Sequence, residues 1–213
     1  MTEMSKCVFT IGYSGYHQDL LRFVADLKNH GIDVVADVRT SPYSKYAAEF
    51  NRDELGVFLQ ANGIKYVFMG RELGARPTDR GCYVNGAVEY DVILASAAFC
   101  SGLDRIEDGM RKGYVIALMC AEKDPIDCHR NILVAHALAA RGVQVRHLVQ
   151  LAPGEGAVAE DSADAEARLL EECDMDQLAQ GDLFMSNAER VEEAYRVRFK
   201  EIAYREERDD ETI

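Results

Sequence analysis

Apolar residues gather into five short runs, at 7–11, 32–36, 64–68, 114–119 and 144–149, and each reads as a β-strand. The fourth is unbroken and has turn residues on both sides, as expected of a strand buried on both faces. Amphipathic stretches separate the strands. Residues 19–30 predict a helix closed by Gly31, and residues 51–62 one capped by Asn51 and closed by Gly63, with Leu55, Phe58 and Leu59 inward. Residues 88–111 hold one or more helices, and 131–141 predict another, stopped by Gly142. Strand and helix in alternation call for a three-layer α/β domain with a mostly parallel sheet of about five strands, spanning residues 1–149. Residues 70–77 and 78–86 read as loops, the second able to cover a pocket. Residues 153–156 (Pro-Gly-Glu-Gly) break the rhythm. Beyond them, 163–178 and 187–208 predict two helices of a C-terminal extension, residues 150–213. In the second helix Val191, Ala194, Tyr195, Phe199, Ile202 and Ala203 recur at helical spacing. That stripe must bury itself, by default on the chain's own body, with a partner chain and hence a homodimer left open.

Charge sharpens this division. The chain carries a net −13; residues 150–213 hold 19 acidic and 7 basic side chains, a net of −12, so the first 149 residues are nearly neutral. The acidic balance speaks against bulk nucleic acid and anionic membrane as partners, but leaves room for a local basic site on the body. No apolar run approaches the roughly 18 residues of a membrane span. The first residues lack an apolar signal core, so a cytoplasmic location is the expectation. In that setting the six cysteines are free thiols or ligands rather than a disulfide framework.

The chemistry concentrates where strands end. After the fourth strand comes Cys120, then the polar loop Glu122, Lys123, Asp124 and Pro125, then Cys128, His129 and Arg130 at a helix start. A buried strand, a polar loop and a helix N-terminus form the usual ligand crevice of an open α/β sheet. Four readings stay open. Cys120 or Cys128 is a nucleophile activated by Lys123, His129 and Arg130. Or Cys120, Cys128 and His129 hold a metal, although no close Cys-x-x-Cys pair exists, adjacent Cys128 and His129 fit one ion awkwardly, and a fourth group such as His17 or His136 would be needed. Or Arg130 and the helix start cradle an anion, with Arg39 and Arg71 closing the other side and Glu122 as acid/base group. Or the loop is structural, with Glu122 and Arg130 paired internally. The anion cradle accounts for most residues at once, and no metal or cofactor is assigned on this reading. The other strand ends contribute Tyr13 and Ser14 in a Gly-containing turn, Asp37 and Arg39 followed by a hydroxyl-rich loop with Ser44, and Arg71 with Glu72. An internal Asp37–Arg39 pair that only pins its loop is the bland alternative. The expected ligand is a small anionic, nucleotide-like or phosphate-bearing molecule. Two other classes remain: a nucleic-acid-associated module that takes one base or end, and a structural metal or thiol-redox protein.

Several stretches resemble the family known as domain of unknown function 488: Thr10-Ile-Gly-Tyr-Ser14, Asp37-Val-Arg39 with Pro42-Tyr-Ser44, Gly63-Ile-Lys-Tyr66, Leu73-Gly74, Cys120-Ala-Glu-Lys-Asp-Pro125 with Cys128-His-Arg130, Val145-Arg-His147 and Glu201-Ile-Ala-Tyr-Arg205. The resemblance implies an α/β fold and no particular reaction; the departure is a longer acidic segment at 150–180. A looser similarity to rhodanese-like and cysteine-phosphatase loops fails on spacing. Cys120 lies too far from Arg130, and Cys128 too near, to wrap a phosphate between cysteine and arginine.

Overall fold

The computed structural model describes residues 7–17, 19–150, 155–174 and 185–206. The opening residues, part of the 153–156 break and the predicted helix ends at 175–178 and 207–208 lie outside the described residues.

The strands are β1 (Cys7–Gly12), β2 (Val34–Asp37), β3 (Lys65–Phe68), the hairpin pair β4 (Tyr83–Val84) and β5 (Ala87–Val88), β6 (Ile116–Cys120), β7 (Gln144–Val149) and β8 (Val158–Asp161). Six of them form one sheet in the order β3-β2-β6-β1-β7-β8. All neighbours are parallel except β8, which runs antiparallel to β7. Side-chain alternation splits the core into two layers. On β6, Ile116, Leu118 and Cys120 face one cluster, and Ala117 and Met119 face the other. The Ala117 face is covered by α1 (Leu20–Asn29) and α2 (Arg52–Ala61) through Phe23, Leu27, Leu55 and Leu59. The opposite face is covered by α4 (Tyr90–Ala95), α5 (Ala97–Arg111), a π-helical turn at Arg130–Ala135 that continues as α6 (His136–Ala140), α7 (Ser162–Glu172) and α8 (Asn187–Ile202). The fold is therefore the three-layer α/β arrangement that the strand–helix alternation predicts. Ala194, Tyr195 and Phe199 of the predicted apolar stripe are buried in the same cluster as β6, and Tyr195 stacks on His136 with ring centroids 3.7 Å apart.

The structure departs from the sequence pattern in four places. Val158–Asp161 was not predicted as a strand; it is short and half polar, which suits an antiparallel edge exposed on one side. Residues 70–77 begin as a one-turn helix, α3 (Gly70–Leu73), which packs against α5. Residues 78–86 do not line the cleft described below. They form a 3-10 turn and the β4–β5 hairpin, whose Asn85 and Gly86 both have positive φ, at 51° and 79°, as a two-residue type I′ turn demands. This hairpin binds the segment that follows α8, with Val88 N–H donating to Tyr204 O at 3.1 Å. Finally, the helix at 131–141 opens with the π-turn. Residues 130–135 are buried on every side, so apolar spacing over one turn carries no information that separates the two helix types.

The register on β1 and β7 sets Thr10 beside His147, where Thr10 Oγ1 and His147 Nδ1 lie 2.9 Å apart. Burial, then the charges of Arg130 and Arg168, push the His147 imidazole down to about 3, against a smaller opposing pull from Asp124. A depressed folded-state value means that the unfolded chain binds the proton first. Stability should therefore be complete above about pH 6.5 and decline, by roughly 1.4 kcal/mol per unit, as pH falls toward 3. Partly buried His136 is depressed too and adds a share of the same sign. Urea midpoints at pH 7 and pH 5 check this: His147→Gln should flatten the decline relative to the parent, and an unchanged slope would remove His147 as its source.

Candidate functional site

Parallel register decides which loops meet. Gly12 pairs with Cys120 and Asp37 with Met119, so the segments after β1, β2 and β6 leave the sheet at one level. Tyr13 N–H donates to Cys120 O at 3.1 Å, Ser14 N–H to Ala121 O at 3.0 Å and Val38 N–H to Met119 O at 3.1 Å, extending the sheet into those loops. Gly12 is obligatory here, because a Cβ on it would collide with the Glu122 carbonyl.

The segment after β6 folds around Arg130. This side chain is fully buried, its Nη1 donating to Glu122 O at 2.6 Å and its Nη2 to Lys123 O at 3.0 Å. The fork thus pulls residues 122–123 back over the helix start and brings four donor groups together. Cys120 Sγ, a Glu122 carboxylate oxygen, Cys128 Sγ and a His129 ring nitrogen all lie within 4.8 Å of one another. His129 Nδ1 is 3.7 Å from Cys120 Sγ and 4.0 Å from Cys128 Sγ. Its Nε2 sits 3.0 Å from Val38 O and must carry the hydrogen, since a carbonyl only accepts. Cys128 Sγ meets Glu122 Oε2 at 2.8 Å and accepts from Arg130 N–H at 3.5 Å.

The electrostatics follow from this crowding. Burial, and then Cys128, hold the Cys120 thiol well above its usual range. Burial also opposes ionisation of Cys128, but the Cys120 hydrogen bond and the charges of Arg130 and His129 outweigh it, and Cys128 is held well below. Burial and the neighbouring Cys128 raise the Glu122 carboxyl, and the same sulfur raises His129 against the effect of burial. Of the two thiols, Cys128 is thus the more acidic and Cys120 the less.

Beside the cluster opens a cleft of about 480 Å³ lined by Tyr13, Ser14, His17, Ser44, Tyr46, Ala47, Phe50, Ala121 and Glu122. Five of the residues named from sequence, Tyr13, Ser14, His17, Ser44 and Glu122, share this wall, His17 there rather than in the donor cluster. Cys120, Cys128 and His129 lie buried in the cluster that Glu122 joins. Asp37 and Arg39 form a closed unit instead. Arg39 Nε and Nη2 donate to the two Asp37 oxygens at 2.9 and 2.6 Å, Nη2 also reaches Phe50 O at 2.8 Å, and Tyr66 O–H donates to Asp37 at 2.6 Å. The guanidinium lies 5.0 Å from the Tyr13 ring centroid, and Tyr13 stacks on Phe50 at 4.6 Å. The Asp37–Arg39 pair thereby fixes the aromatic wall rather than offering its charge to the cleft. Arg71 is exposed on α3, Glu72 pairs with Arg105 of α5, and neither lines the cleft. Nor is His136 near the cluster, being engaged with Glu192 and Tyr195. The fourth donor beside the thiols and imidazole is Glu122, which sequence spacing passed over. Tyr46, Ala47 and Phe50 were also missed; only their place in the loop after β2 could have signalled them. The awkwardness of adjacent Cys128 and His129 is relieved by the turn of the chain, which swings both side chains toward Cys120.

Fold and site together define a class: an α/β domain whose strand ends hold a thiol–carboxylate–imidazole cluster at the side of a cleft. The chain belongs to the family described as Domain of unknown function DUF488, whose model matches residues 19–138, including Asp37–Arg39 and the whole Cys120-to-Arg130 segment. Its comparison with curated proteins and with solved structures gives no match. Among the described residues no helix is long and apolar enough to cross a membrane.

Proposed function

We propose that this domain binds a small, nucleotide-like molecule in the cleft at the ends of β1, β2 and β6, and acts on it through Glu122. The observation that carries this reading is the make-up of that one wall. Rings of Tyr13, Tyr46 and Phe50 offer flat apolar surface, Ser14, Ser44 and His17 offer hydrogen-bonding groups, and a carboxylate stands at the edge. Pockets of this kind, mostly apolar with a few convergent polar groups, suit ligands of nucleoside size. The buried arginines support the reading indirectly: Arg130 shapes the loop that carries Glu122, and Arg39 braces Tyr13 and Phe50. A phosphate on the ligand would meet the serine hydroxyls and His17 at the rim. Glu122 is the acid/base group, because it is the one carboxylate lining the cleft.

A thermal-shift series with adenosine, AMP and inorganic phosphate tests this. Adenosine or AMP should raise the melting temperature more than phosphate alone does. Tyr46, 91% exposed, can be changed without touching the core. Tyr46→Ala should weaken binding by roughly tenfold, in line with the 1–3 kcal/mol that ring stacking commonly contributes. No shift with any probe, or shifts indifferent to both Tyr46→Ala and Glu122→Gln, would overturn the reading.

A further inference from the structure

We infer that Cys120, Cys128 and His129, with Glu122 as the fourth, cleft-facing donor, form a binding site for a single zinc-class transition-metal ion. The geometry is the argument. Metal–sulfur bonds of about 2.3 Å and metal–nitrogen bonds of about 2.0–2.1 Å at tetrahedral angles set donor–donor edges of about 3.5–3.8 Å. The imidazole Nδ1 lies 3.7 and 4.0 Å from the two sulfurs, and all four donor atoms fall within 4.8 Å of one another. Small side-chain adjustments suffice to close the set, including the lengthening of the 2.8 Å contact between Cys128 Sγ and Glu122 Oε2.

The surroundings are those of a ligand set. Nε2–H of His129 is anchored on the Val38 carbonyl, which points Nδ1 at the sulfurs and fixes the tautomer a ligand needs. The Arg130 N–H is directed at Cys128 Sγ, a contact that suits a bound thiolate. Both sulfurs and the imidazole are buried, whereas Glu122 is exposed on the cleft side. Three buried donors and one accessible donor describe a site in which the carboxylate is the exchangeable ligand. Two sulfurs and a nitrogen favour zinc over hard ions such as magnesium or calcium. The inference deepens the reading of the cleft, since Glu122 belongs to both. The convergence of donors does not depend on what the cleft binds.

The experiment uses the full chain, purified without chelator or metal resin, with metal content measured directly and cobalt(II) as a spectroscopic probe. Close to one zinc-class ion per chain is expected, removable by chelator and restored by added zinc. Cobalt(II) should give thiolate charge-transfer absorption and the intense visible bands of a four-coordinate site. Cys120→Ser and Cys128→Ser should each lose most of the charge-transfer intensity, while Cys82→Ser, remote from the cluster, should keep it. Glu122→Gln should retain the thiolate bands and shift the visible ones. If the serine variants fail to fold, the parent spectrum decides alone. No charge-transfer band on the parent, intensity unchanged in folded Cys120→Ser and Cys128→Ser, or a Cys120–Cys128 disulfide in freshly isolated protein would each overturn the site. A missing thermal shift with nucleotides would leave these metal readings untouched, so the two proposals fail separately.

Discussion

Arg130→Ala is expected to lower the free energy of unfolding by about 3–5 kcal/mol, one of the two largest losses anticipated for any single substitution here. The side chain has no exposed surface, and its fork satisfies the carbonyls of Glu122 and Lys123 at 2.6 and 3.0 Å. Alanine leaves both oxygens without those donors, at about 1–3 kcal/mol each, and adds the cost of a cavity in the layer beside β1. Arg130→Lys keeps the charge but not the planar fork, and should recover only part of the loss. Urea unfolding reads the change as a lower midpoint at unchanged slope. A loss below about 1 kcal/mol would show that residues 122–123 hold their place without the clamp. The same substitution removes one of the charges that lower the Cys128 thiol.

Gly12→Ala is the second. A methyl group at that position would be driven into the backbone carbonyl of Glu122, with Arg130 Nη1 also only 3.2 Å away. Overpacked cores commonly cost about 1–3 kcal/mol. The obstacle here is backbone rather than the end of a flexible side chain, so a loss of about 3 kcal/mol or more is expected. The loop after Cys120 must lift, and the donor cluster should disperse with it. Gly56→Ala is the contrast. Gly56 lies inside α2 with only the Tyr66 ring nearby, at 3.8 Å, so alanine should be neutral or stabilise by up to about 1 kcal/mol through helix propensity. Thermal denaturation of the two variants side by side distinguishes a space constraint from a general intolerance of alanine for glycine. Equal effects would show that Gly12 is not pressed against the loop.

The fold was largely legible because its signals are local. The run from Tyr114 to Met119 reads as a strand buried on both faces, realised at Ile116–Cys120, and Gly31, Gly63 and Gly142 mark helix ends by adopting positive φ. The edge strand at Val158–Asp161 escaped notice because antiparallel pairing with Arg146–Val149 makes it a strand, and that pairing is not written in four half-polar residues. The site was half legible. Polarity at the ends of apolar runs drew attention to Tyr13, Ser14, Ser44, Cys120, Glu122, Cys128 and His129, all of which line the cleft or the cluster beside it. The same signal also raised Arg39, Arg71, Glu72 and Arg130 as ligand groups. Residue type cannot tell whether a guanidinium faces a ligand or a carbonyl of its own chain.

By itself the sequence determined the five parallel strands, most helices, the acidic C-terminal segment and the segments that carry chemistry, because periodicity and turn residues act over a few neighbouring positions. Only the tertiary structure decided that β6 lies between β1 and β2, which sets Cys120 level with Gly12 and Met119 level with Asp37. It also decided that Arg130 spends its fork on Glu122 and Lys123 while Glu122 turns toward the thiols. Those outcomes depend on pairing and burial between residues distant along the chain, and on the cost of leaving buried carbonyls and donors without partners.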